Sequence, residues 1–319
     1  MWNGLALGSE RFMEWSQRLI QLKPNLERRA SIYQLTRTYF EEQGFLEVET
    51  PVRVPSVAPE SQIIPFESED WFLSTSPELY MKQMLAAGYS KLFQISRCFR
   101  KGEHGRWHNP EFTMLEWYRV GADYRQMIKD TEQLVLMLSI KLEQKPLIRY
   151  RSQNIDLTLP WLRIAVRDAF LHAAGWDPIA QPDPVRFDTD LVDKVIPSFP
   201  PDRPTVLLDY PAAMASLARL RPGEPKLAER AEVFVGGLEL ANAYSELIDS
   251  KEQERRFQEE MAQIQQERGR KIAMPQQFLK AVAHLPQCGG IALGMDRLVM
   301  LFCNADSIEQ VMAFTVDTA

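Results

Sequence analysis

The chain has 319 residues, 45% of them hydrophobic and 25% charged, with a net charge of −6 at pH 7; its length suits one large domain or two modest ones, and no apolar run approaches the ~20 residues of a membrane helix. The acidic balance argues against a broad basic footprint for nucleic acid, although a local basic patch stays compatible with it. Cys98, Cys288 and Cys303 are odd in number and form no CxxC pair, so neither a disulfide framework nor a zinc site is indicated, and residues 1–17 lack the basic and apolar regions of a secretory signal, which makes the cytoplasm the expected compartment.

Residues 1–25 show weak periodicity and read as an N-terminal extension. Over 26–43, Ile32, Leu35 and Tyr39, with Tyr33 and Phe40 beside them, recur at helical spacing; Pro24 and Asn25 offer a start and Gly44 a stop. Residues 45–50 alternate as a half-buried strand does and end at Pro51. Residues 91–100 and 111–119 predict an antiparallel hairpin around a polar tip, 101–110. Helices are expected over 124–144 and 164–174, and an irregular crossing over the Pro- and Asp-rich stretch 177–204. Residues 232–248 read as strands, 252–268 as an amphipathic helix with Phe257, Met261 and Ile264 on one face, and 290–302 as a strand entering a helix. There is no internal repeat or low-complexity tract.

Three constellations carry chemistry. In the first hairpin, Glu116 and Tyr118 share a strand face, and Arg100 at the end of the facing strand can meet a ligand over it. A carboxylate, a phenol and a guanidinium suit a ligand with both charges; each alone is equally a surface ion pair. The tip adds Gly102, Glu103, His104, Gly105, Arg106, His108 and Asn109, more donors than a connector requires. In the second, a turn at Gly236-Gly237 sets Phe234 against Glu239 and Glu232 against Ala241, so Glu232 and Glu239 become diagonal neighbours able to share Mg2+ with phosphate oxygens; the alternative is two solvated glutamates. Asn242, Tyr244 and Glu246 share a face of the other parity, so a bulge or twist is needed to unite both sets. The third runs Gly289-Gly290-Ile291-Ala292-Leu293-Gly294-Met295-Asp296-Arg297, where small residues admit a ligand to the backbone and Arg297 adds charge near a helix N-terminus. It matches neither a P-loop nor a dinucleotide fingerprint. His172 and His284 read as structural, and 251–256 as a solvated helix face.

In chain order these stretches resemble the signature motifs of class II aminoacyl-tRNA synthetases, the lysine enzymes above all. The helix and strand ending at Pro51 resemble motif 1, Phe99-Arg100 through Tyr118 motif 2, and Gly294-Met295-Asp296-Arg297 motif 3, while Thr75-Ser76-Pro77-Glu78 and the run from Gly237 to Leu247 resemble the lysine-binding segments. The resemblance implies an α+β catalytic domain over 26–319, a mostly antiparallel β-sheet flanked by helices. It further implies ATP and Mg2+ as cofactors, no protein nucleophile, and a homodimer formed through the motif 1 helix.

The family's roles transfer to matching positions. Arg100 and Arg297 would hold the α- and γ-phosphates and Glu232 and Glu239 the Mg2+. Glu103, His108, Asn109, Leu240 and Gly294 would help seat the nucleotide. Glu78 would receive the α-amino end of lysine and Glu116, Tyr118 and Glu246 the distal ammonium, while Ser76, Pro77, Asn242 and Tyr244 would help bind the substrate. Two departures point to a neighbouring family. Only about two dozen residues precede motif 1, too few for an anticodon-binding barrel, and Ala292 stands where the synthetases typically have glycine. Both resemble the paralogues that ligate lysine, preferentially (R)-β-lysine, onto elongation factor P. The implied partners are that factor and lysine or (R)-β-lysine, with no stable tRNA complex and no membrane; the alternatives are a minimal enzyme charging RNA and an inactive regulatory paralogue. One mismatch stands in motif 2, where the usual adenine-reading glutamate is replaced by Gly102, with Glu103 next along.

Overall fold

The computed structural model describes residues 3–319, with side chains from Trp15 onward. Numbering only the strands on the continuous path of the main sheet, these are β1 (Leu46–Glu47), β2 (Lys91–Phe99), β3 (Glu111–Val120), β4 (Leu162–Ala165), β5 (Thr205–Pro211), β6 (Glu224–Val235), β7 (Leu238–Ser245) and β8 (Cys288–Gly294). The sheet has nine strands in the order β1-β2-β3-β8-β7-β6-β5-β4, with Leu220–Arg221 pairing β6 off the path. Among the described residues, β1 with β2 and β4 with β5 are its parallel pairs and the rest are antiparallel. The expected α+β class with a mostly antiparallel sheet therefore holds.

Among the described residues eight α-helices flank it: α1 (Asn3–Glu42), α2 (Glu78–Ala86), α3 (Tyr124–Glu143), α4 (Val166–Ala173), α5 (Pro184–Asp190), α6 (Ser250–Arg268), α7 (Gln276–Val282) and α8 (Met295–Cys303). Alternation divides the sheet's faces. Leu115, Trp117, Ile291, Leu293, Ala241 and Ala243 join the main core with Met127, Leu134 and Leu138 of α3 and Leu298 and Val299 of α8. The residues between them face the other way, where α2, α6 and α7 pack through Leu79, Phe257, Phe278 and Val282. α3 starts where the Asp123 side chain accepts from Gln126 N at 3.0 Å and stops at Gln144 in the left-handed region. No helix among the described residues is long and apolar enough to cross a membrane.

Several expectations need correction. The helix expected over 26–43 starts at Asn3, so the weakly periodic stretch is helical and Pro24 lies inside the helix. Proline removes a hydrogen bond there, but tertiary anchors carry the helix through: Arg18 donates to Ala313 O at 2.6 Å, Asn25 donates to Gln310 O at 2.9 Å, and Trp15 stacks on Phe314 with centroids 6.5 Å apart. The crossing over 177–204 is partly helical, because Asp183 caps α5 by accepting from Arg186 N at 3.1 Å and Phe187 packs on Phe170. β4 precedes the helix expected from 164, which starts at Val166. The three cysteines are free.

Candidate active site

Register aligns the site residues in rows across the sheet. Glu116 opposes Ala292, Ala292 opposes Asn242, and Asn242 opposes Glu232; one step along, Tyr118, Gly290, Tyr244 and Arg230 form a parallel row. A spacing of two puts both rows on one face, which floors a cavity of about 1000 Å3. The residues given family roles above line it except Pro77 and Glu232, while Gly102, His104, Gly105 and Arg106 of the hairpin tip lie outside it. Pro77 instead precedes α2 as its N-cap.

The Glu232 register differs from the expected one. Phe234 opposes Glu239, but Val233 opposes Ala241, so Leu240 is an extra residue and Glu232 faces Asn242 rather than Ala241. This bulge shifts the parity of β7, and it is why Glu239 shares the cavity with Asn242, Tyr244 and Glu246.

At the carboxylate-rich end, Glu116 accepts from Ser76 Oγ at 2.7 Å and from the Tyr118 hydroxyl at 2.8 Å, and Glu78 N donates to Ser76 Oγ at 3.0 Å. Burial, reinforced by Glu78, pushes the Glu116 carboxyl up to about 7 despite those two hydrogen bonds. Burial and Glu116 raise the Tyr118 phenol as well, so it stays a donor. A residue not anticipated lies here: buried Lys82 contacts Glu78 and reaches Glu246 Oε2 at 2.5 Å. Its signal was the i, i+4 spacing from Glu78, which reads equally as a solvated pair. Glu60, also not anticipated, lines the cavity, its carboxyl pushed up to about 7 by burial and Glu78. Gly290 leaves the space that Glu246 and Tyr118 occupy, since a Cβ there would lie 2.1 Å from Glu246 Oε1.

At the other end, Arg100 lies over the Phe112 ring and 3.6 Å from Glu103. Arg297 donates to Glu239 O at 2.6 Å and meets His108 Nε2 at 2.6 Å. Burial and Arg297 hold the His108 imidazole below its usual range, which keeps Nε2 free to accept. Asn109 is committed on both sides, donating to Glu111 O at 2.6 Å and accepting from Val316 N at 3.0 Å. The loop is no free hairpin tip: Ile308 N donates to Arg106 O at 2.9 Å, Arg106 pairs with Asp306 at 3.2 Å, and His104 meets Asp317 at 2.7 Å.

Among the described residues no group of three or more His, Cys, Asp or Glu could hold a metal. The donors do fit an ion completed by phosphate oxygens. Glu239 is half-exposed at the cavity, buried Glu232 feels its charge, and the buried Asn242 Oδ1 has no hydrogen-bond partner. Glu232 is meanwhile paired with Arg230 at 2.6 Å.

The family tRNA synthetases class II (D, K and N) matches residues 6–318. The Elongation factor P–(R)-beta-lysine ligase of Klebsiella pneumoniae is 37% identical, over 93% of this chain and 96% of its own length; that of Salmonella gallinarum is 36% identical with the same coverage. The chain belongs to the class II tRNA synthetase family (D, K and N), and within it to the elongation factor P–(R)-β-lysine ligases.

Proposed function

We propose that this chain activates lysine or (R)-β-lysine with ATP and passes the aminoacyl group to a lysine side chain of elongation factor P. As a member of its family it is an ATP-using ligase. The observation that carries the finer reading is one cavity lined at one end by Glu78, Glu116 and Glu246 and at the other by Arg100 and Arg297. A desolvated ammonium needs carboxylates, and a polyphosphate needs guanidinium groups.

The carboxylate of the amino acid attacks the α-phosphorus, the bond to the β-phosphate oxygen breaks, and pyrophosphate leaves. The amine of the acceptor then attacks the carbonyl carbon, AMP departs, and the amine proton is released. Neither step uses a protein nucleophile. Arg100 balances charge gathering on the phosphoryl oxygens, Arg297 receives the far phosphate, and Glu78, Glu116 and Glu246 fix the amino acid so that its carboxylate is aligned. Glu239 and Glu232 would hold Mg2+ together with phosphate oxygens, with Asn242 Oδ1 beside them; when bound, the ion neutralises phosphate charge. We place (R)-β-lysine first because the relatives carry it in their names. A homodimer through α1 is part of the proposal, and a monomeric mass at micromolar concentration would refute it.

The test incubates purified protein with ATP, Mg2+ and either lysine isomer, offering unmodified elongation factor P and total tRNA separately. A stable mass gain on the factor is the expected result and ranks the isomers. Labelled tRNA with an unchanged factor would overturn the reading in favour of RNA charging.

A further inference from the structure

Behind the carboxylates at the amino-acid end of the cavity lies a cation that the chain itself supplies. Lys82 is 1% exposed. Its ammonium contacts Glu78 Oε1, one turn earlier on α2, and lies 2.5 Å from Glu246 Oε2, just beyond β7. Burying an ammonium costs several kcal/mol before its partners compensate, a cost that a methionine of similar volume would avoid. Packing alone therefore does not account for a lysine here.

Its surroundings suggest what it does. The titratable groups facing this pair are Glu78, Glu116, the Tyr118 phenol and the Cys288 thiol. Glu116 accepts from two neutral donors, Ser76 and Tyr118, one at each oxygen. Lys82 engages one oxygen of Glu78 and one of Glu246, leaving the second oxygen of each for another donor. The free oxygen of Glu246 is the one that approaches Gly290, in the cavity wall. Three carboxylates converge on one ammonium, so oxygens are left over to receive the ammonium groups of a lysine isomer.

We propose that Lys82 is a positioning residue for the amino-acid substrate: bridging Glu78 and Glu246, it holds one oxygen of each toward the cavity for a ligand with two ammonium groups. Without the bridge the two carboxylates repel each other and one takes up a proton, so the pocket loses a ligand for the substrate while the nucleotide end is untouched.

This inference rests on the lysine-activating reading, and lysine-dependent ATP–pyrophosphate exchange separates the two. If the unaltered protein shows no exchange with either isomer, that reading falls. If it does, Lys82→Ala is expected to raise the KM for lysine about tenfold or more, with the KM for ATP within about twofold, and ethylammonium added to the assay is expected to lower the lysine KM again. A lysine KM within about twofold of the unaltered protein, or equal rises in both KM values with no response to ethylammonium, would overturn the proposal. Should Lys82→Ala not fold, Lys82→Arg and Lys82→Met carry the test. Arginine keeps the charge and should retain most lysine affinity, whereas equal losses in the two variants would refute the role.

Discussion

Glu246 occupies space that exists because residue 290 is glycine: a Cβ at Gly290 would stand 2.1 Å from Glu246 Oε1 and 2.4 Å from Tyr118 Cε1. Both neighbours are buried, so neither can swing into solvent to make room. Gly290→Ala is expected to cost about 1–3 kcal/mol of stability, as overpacking does. It should also raise the KM for lysine far more than the KM for ATP. Steady-state exchange kinetics beside a denaturant titration check both, and an unchanged lysine KM would detach Glu246 from the substrate.

Glu116 gives the pocket a pH dependence. Its carboxyl is raised from the model-compound range near 4.5 to about 7, chiefly by burial. A raised carboxyl binds its proton more tightly in the native state, so its contribution to stability is complete below pH 4.5 and is lost as pH rises to about 7. The slope in that window is at most about 1.4 kcal/mol per pH unit. Lysine binding should follow the opposite sign and strengthen toward pH 7, because the ionised form is the better ammonium ligand. Glu116→Gln is expected to flatten the stability slope between pH 5 and pH 7 relative to the unaltered protein, measured by denaturant melts at each pH. Identical slopes in the two proteins would remove Glu116 as the titrating group.

The hairpin strands and the helix after Asp123 were legible because alternation and helical spacing survive in the local sequence, and with them the placement of Glu116 beside Tyr118. What was not legible depends on distant partners. The first 25 residues look weakly periodic, yet Arg18 and Asn25 reach carbonyls of Ala313 and Gln310 at the far end of the chain, and this overrides the local effect of Pro24. The pairing of Glu232 could not be read from the Gly236-Gly237 turn, because the bulge at Leu240 comes after it. Lys82 looks like any helical lysine until Glu246, 164 positions away, closes over it.

Arg29 of α1 meets Asp296, the first acid of α8, at 2.6 Å, and the other Asp296 oxygen accepts from Thr113 N at 2.7 Å. This almost fully buried carboxylate ties the first helix, the motif 2 strand and the motif 3 helix at one point. Breaking a buried pair leaves the partner uncompensated, so Asp296→Ala should cost about 3–5 kcal/mol. Arg29→Met should cost less than Asp296→Ala, because the carboxylate keeps its backbone donor. Urea titrations of both variants decide the order, and a larger loss for Arg29→Met would contradict this account.

Arg297 is held in place from two sides, by Glu239 O and by His108 Nε2. With its charge preset at the nucleotide end, Arg297→Ala should lower lysine-dependent pyrophosphate exchange about 100- to 1000-fold, the scale for losing a preorganised charge partner. Stability should change little, since the guanidinium borders the cavity. His108→Ala keeps the charge but frees the arginine, so a smaller loss is expected. If the two variants lose equal activity, His108 has a part in the reaction beyond orienting Arg297.

The C-terminal segment acts on the same end through Asn109, whose amide bridges Glu111 O and Val316 N. Both sides of the amide are occupied within the protein, so Asn109 ties the tail to the start of β3. Asn109→Ala leaves Glu111 O and Val316 N, both only partly shielded, without this partner, and should raise the KM for ATP while sparing that for lysine. Removing residues 315–319 takes away Val316 and also the Asp317 contact to His104, and should have the same kinetic signature. The two changes share one interaction, so their combined effect on the KM for ATP should fall short of the product of the separate effects. Full multiplicativity in that double-mutant cycle would mean that Asn109 meets the nucleotide directly, independently of the tail.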